Sequence, residues 1–177
     1  NADLLDNLQQ NTTNVFTIKG IDGVEFDYAL GQEGGLFYNS DIALKKGQVD
    51  LGGKSYTIVI RKGDLKVLGD FRVKNGYMAF VLEDGDVLID SDVAYMDGVY
   101  HTSQGGFKSI GESFQQLQVS GAFIGDIYDL LKHRNFIGND PDNTLEPNVR
   151  FLFDIRMIEE TPPGLEAFVG DGWSQLK

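Results

Sequence analysis

The chain contains no cysteine, which excludes disulfides, thiol catalysis, cysteine-type zinc sites and iron–sulfur clusters. Histidine is almost as scarce. With only two, His101 and His133, a metal centre built from imidazoles alone is excluded, and both are read as structural. His101 falls in a strand-like run, and His133 lies near a helix end, where a positive charge complements the dipole. Proline is also rare, 4 residues against 22 glycines. That balance points to tight turns between strands and away from a proline-rich linker or a collagen repeat. No stretch approaches the ~18 apolar residues that span a bilayer as a helix, and no signal-peptide core is visible. Because the first residue is Asn1, an initiator or leader is expected to have been removed or to fall outside the numbering.

Basic residues are outnumbered, 15 against 27 acidic, for a formal charge of -12. A surface of this sign repels phosphate backbones and anionic membranes, so neither nucleic acid nor membrane is expected as a partner. What remains is ample material for a core, 41% hydrophobic over 177 residues, which argues against disorder.

Leu4, Leu5 and Leu8 follow Asp3 at helical spacing, predicting a short N-terminal helical arm over 1–14. From Val15 the pattern is that of strands. Val15–Ile18 and Val24–Tyr28 come first, then Ser55–Ile60, Leu65–Val73, Tyr77–Leu82 and Val87–Ile89, separated by glycine-containing turns such as Lys74-Asn75-Gly76. The last four runs read as an antiparallel meander. Val93–Met96 and Val99–His101 extend it by a hairpin. Phe123, Ile127, Leu130 and Leu131 recur at helical spacing and predict one packed α-helix over about 122–134. Arg150–Ile158 reads as a strand with Phe151, Phe153, Ile155 and Met157 on one face. No internal repeat of solenoid or propeller length is evident. The expected fold is therefore mainly β, an antiparallel β-sandwich or barrel with one packed helix. It forms a single domain over 15–177 that ends in a hairpin at about 162–177.

Catalytic signatures do not assemble. No Gly-x-Ser-x-Gly elbow occurs, since Lys108-Ser109-Ile110-Gly111 lacks the first glycine. Gly52-Gly53-Lys54-Ser55 ends like a phosphate loop, but Gln48 stands where the first glycine belongs and a strand follows. The carboxylates Glu83, Asp84, Asp86, Asp90 and Asp92 gather around a turn that alternation places in solvent, so a paired-acid glycosidase is not supported. We expect no enzymatic activity and no cofactor other than calcium. The calcium candidate is Asn139–Glu146, where Asp140, Asp142 and Glu146 supply oxygens at a spacing able to wrap a hard cation. That segment lacks the length and central glycine of an EF-hand, and the same side chains cap turns without a metal. Among the aromatics, Trp173, Tyr95 and Tyr100 are candidates for binding, and Tyr77 joins them as a candidate for stacking on sugars.

The ending Pro162-Pro163-Gly164-Leu165-Glu166-Ala167-Phe168-Val169-Gly170-Asp171-Gly172-Trp173-Ser174-Gln175-Leu176 resembles a short C-terminal pattern of bacteriophage virion proteins, tail-fibre proteins especially. Gly164, Phe168, Gly172, Trp173 and Leu176 are the matching positions. The rest lacks fibre repeats and heptads, so the resemblance implies a compact decoration, tail or adaptor protein located in the virion. Such a protein is structural, and it acts through protein partners and homo-oligomer contacts. The competing reading is a secreted, extracellular module that binds carbohydrate or a surface partner, with or without calcium. A third is a β-barrel enzyme with dispersed sites.

Overall fold

The computed structural model describes residues 15–19, 25–29, 35–134 and 147–165. Strands β1 (Val15–Lys19) and β2 (Glu25–Ala29) form an antiparallel ribbon. Every other strand pairs in parallel. The chain winds as a β-solenoid, so the expected antiparallel sandwich or barrel is incorrect.

Each turn of the solenoid passes through three faces. The first face holds β3 (Gly35–Tyr38), β6 (Tyr56–Ile60), β9 (Met78–Leu82) and the central part of β11 (Tyr95–Ile110). The second holds β4 (Ile42–Leu44), β7 (Leu65–Val67), β10 (Val87–Asp90) and the end of β11. The third holds β5 (Gly47–Asp50), β8 (Phe71–Lys74), the start of β11, the start of β12 (Leu117–Asp126) and β13 (Val149–Leu152). Three strands of the expected meander exist as β6, β9 and β10, whereas Leu65–Val73 divides into β7 and β8. The expected hairpin over 93–101 is from Tyr95 on part of the single strand β11, and consecutive strands lie on different faces. Lys74-Asn75-Gly76 turns a corner from the third face to the first and is not a hairpin. A hairpin would pair neighbours in sequence, whereas here each strand pairs with its counterpart one coil away.

A repeat therefore exists, and its mark is the corner between the first and second faces. Ser40-Asp41-Ile42, Gly63-Asp64-Leu65, Gly85-Asp86-Val87, Gly105-Gly106-Phe107 and Gly125-Asp126-Ile127 occupy it in turn. In the first three coils the corner carboxylate accepts a backbone N–H of the next coil. Asp41 accepts from Asp64 at 3.0 Å, Asp64 from Asp86 at 2.9 Å, and Asp86 from Gly106 at 2.9 Å, with sequence separations of 23, 22 and 20. The glycines are required by contact. A Cβ on Gly85 would lie 2.0 Å from the Gly63 carbonyl oxygen, and one on Gly105 2.0 Å from that of Gly85.

Inward-facing Ile58, Ile60, Leu65, Val67, Phe80, Leu82, Val87, Ile89 and Phe107 are fully buried. Aromatic rings continue from coil to coil through the core. Phe80 stacks on Tyr100 at 5.1 Å, Tyr100 meets Phe123 edge-on at 5.5 Å, and Phe123 meets Phe151 edge-on at 5.3 Å. Such pairs contribute about 0.5–1.5 kcal/mol each beyond their buried area.

The one packed helix is shorter than expected. α1 spans Tyr128–His133, because residues 117–126 stay in the parallel ladder with β11 and the ladder overrides their helical spacing. α1 takes the place of a second-face strand in the last coil and sends Leu130 into the core. Arg134 then closes the corner, fully buried, donating to the carbonyls of Val93 at 2.9 Å and Asp90 at 2.6 Å. Burial pulls its guanidinium down to about 10.

The expected strand over 150–158 also divides. β13 ends at Leu152, and a single helical turn, α2 (Arg156–Glu159), follows. The Asp154 carboxylate accepts the Arg156 N–H at 3.0 Å and bends the chain there. The expected N-terminal arm over 1–14 lies outside the described residues, as does the terminal hairpin beyond Leu165.

Candidate functional site

The segment after β13 runs back along the solenoid as a strap. Asp154 accepts the Ser120 hydroxyl at 2.8 Å. Arg156 donates to Asp154 at 2.6 Å and to the Val73 carbonyl at 2.7 Å, and lies 3.6 Å from Asp97. Further on, the Ser55 hydroxyl donates to the Glu160 carbonyl at 2.6 Å, and the Thr57 hydroxyl donates to that of Pro163. Leu165 packs with Tyr77, Ala79 and Val99. The strap thus crosses outward-facing residues of several coils. All five residues of β6 and of β9 are buried, as in parallel strands covered on both sides.

Asp97 and Asp154 are almost buried and have opposite electrostatics. Burial raises the Asp97 carboxyl above its ordinary range, partly offset by hydrogen bonds from the Val73 N–H and the Tyr95 hydroxyl. Burial also raises Asp154, but hydrogen bonds from Arg156 and Ser120 more than reverse it and hold that carboxyl below the usual range. The arrangement ties the strap to the coils through charge, hydrogen bonds and apolar packing together.

The same end of the molecule exposes apolar surface. Phe151 is in register with the inward-facing Val119 yet remains 44% exposed, because among the described residues no strand lies beyond β13. Ile155 and Ile158 follow on the strap, 51% and 40% exposed. Solenoids normally carry polar caps at their ends; among the described residues this end presents the Phe151 ring instead.

Among the described residues, those singled out from sequence do not form one cluster. Asp140, Asp142, Glu146 and Trp173 lie outside the described residues. Tyr100 is fully buried, its ring between Phe80 and Phe123 and its hydroxyl donating to the Asp97 carbonyl at 2.7 Å. Tyr77 is buried too, donating to the Ser120 carbonyl. Tyr95 is half-buried on the third face, with the Arg72 guanidinium 3.7 Å above its ring. His101 is buried on the outward side of the first face, in register with Val81, and burial lowers its pKa. His133 is paired with Glu112 at 2.7 Å. Sequence reasoning missed Asp97, Asp154 and Arg156. The available signal was an aspartate two residues ahead of a change from alternating to helical spacing.

No family model, curated protein or solved structure matches the chain.

Proposed function

We propose that this chain is a non-enzymatic structural protein of a virus particle, assembling with further copies of itself through the exposed end of its last coil. The observation that carries the reading is Phe151, a core-register aromatic left half uncovered on an edge strand. A second copy seated there continues the interface that already joins the coils, namely an open strand edge and an aromatic stack. The similarity of the C-terminal ending to phage virion proteins supports placing that assembly in a virion.

Mass photometry and negative-stain electron microscopy of the purified chain test this. The expected result is a concentration-dependent oligomer of defined shape. A monomer at every concentration, with no association with phage capsids or tails, overturns it.

A further inference from the structure

A continuous polar track crosses five successive coils on the third face. Gln48 pairs in register with Arg72, Arg72 covers the ring of Tyr95, Tyr95 pairs with Gln118, and Gln118 pairs with Arg150. Adjacent strands lie ~4.8 Å apart, so the track is on the order of 20 Å long. Gln48, Arg72 and Arg150 are exposed, and Gln118 is half-buried.

The electrostatics of this track are unusual for so acidic a chain. On the second face, Lys66 and Lys108 each close on a carboxylate at 2.6 Å. Arg72 and Arg150 make no ion pair among the described residues, although acidic side chains outnumber basic ones 27 to 15. Two guanidinium forks, at the second and last coils of the track, therefore have no carboxylate partner among the described residues, and amides lie beside them.

We propose that this track binds an anionic, carboxylate-bearing polysaccharide laid along the solenoid axis. Guanidinium groups receive carboxylates bidentately. The Gln48 and Gln118 amides each donate and accept, which matches sugar hydroxyls, which do the same. An acidic peptide fits less well: the track runs across the strands, and its inner strands β8, β11 and β12 are paired on both sides, so strand addition at β5 or β13 would not lay a peptide along it. A polynucleotide offers phosphate, the other anion that a guanidinium fork receives, and is therefore carried as a comparator. This goes beyond the assembly reading and does not depend on it.

The test is binding of the full chain to a panel of immobilised polygalacturonate, alginate and polysialic acid. Methyl-esterified polygalacturonate, poly-glutamate and a thymidine oligonucleotide serve as comparators. The chain is used below its association range, and again as the Phe151→Asp variant, so that loss of assembly and loss of glycan binding are read separately. Expected is retention on at least one carboxylated glycan, at least tenfold weaker on the comparators. Arg72→Ala/Arg150→Ala should reduce binding at least tenfold, while Lys66→Ala on the second face leaves it unchanged, with circular dichroism the same for all variants. The proposal is overturned by no retention on any carboxylated glycan at millimolar concentration. Equal binding by the double-alanine variant, or equal retention on poly-glutamate or the oligonucleotide, overturns it as well.

Discussion

The Asp86 carboxylate accepts the backbone N–H of Gly106, one coil further on, at 2.9 Å and simultaneously holds the Lys108 ammonium at 2.6 Å. Burial raises this carboxyl, and the bonds from Lys108 and Gly106 more than reverse the effect. Asp86→Ala leaves the N–H without its acceptor, so a loss of about 1–3 kcal/mol is expected in urea unfolding. Asp86→Asn, which keeps a carbonyl oxygen, should recover part of it. Equal losses in both variants would show that the coil-to-coil hydrogen bond is not what matters.

Gly85→Ala should be far more damaging than its chemistry suggests. The added Cβ would sit 2.0 Å from the Gly63 carbonyl oxygen, whereas one on Gly47 meets nothing within 4 Å. We expect a cost of about 3–5 kcal/mol at Gly85, or failure to fold, and a near-neutral effect at Gly47. Thermal melts of the two variants side by side decide it.

The corner glycines also show how far the fold was legible in the sequence. Strand positions were readable, since β6, β9 and β10 fall on the apolar runs at Ser55–Ile60, Tyr77–Leu82 and Val87–Ile89. Strand partners were not. Alternation and glycine turns are common to hairpins and to solenoid corners, and neither says whether a strand pairs with its neighbour or with a segment some 22 residues away. The deciding mark was Gly-Asp followed by an apolar residue at 63–65, 85–87 and 125–127, obscured by Gly106 in place of aspartate and Ser40 in place of glycine. The strap was hidden for a different reason. Phe151, Phe153, Ile155 and Met157 keep strand spacing through a segment where Asp154 bends the backbone.

Arg156→Ala should detach the strap while leaving the coils intact. It removes the donor to Val73 and Asp154 and leaves two nearly buried carboxylates uncompensated. Breaking such a pair costs about 3–5 kcal/mol. Hydrogen exchange should speed up across residues 153–165 and at the Ser120 and Val73 contacts, with little change in β7 and β10. Uniform acceleration over all coils would mean the strap is integral to the solenoid core.

The two carboxyls give opposite pH dependence. Asp97, raised by burial, contributes stability that is full below the ordinary carboxylate range and is lost as pH rises through its folded value. Asp154, held low, contributes stability present above that range and lost as pH falls through its folded value. Asp97→Asn should therefore gain on the parent chain as pH rises from 4 to 8, and Asp154→Asn should gain on it below that range. Urea midpoints across the pH series check both signs.

Assembly through the last coil is tested most directly by sedimentation equilibrium of the parent chain and of Phe151→Asp, each at low and high salt. Copies of charge -12 repel one another, and salt screens that repulsion while leaving apolar burial in place. The parent should associate, more tightly at high salt, and the variant should weaken by at least tenfold at both. Association that is indifferent to the Phe151 substitution, or a parent chain that stays monomeric in both salts, would contradict it.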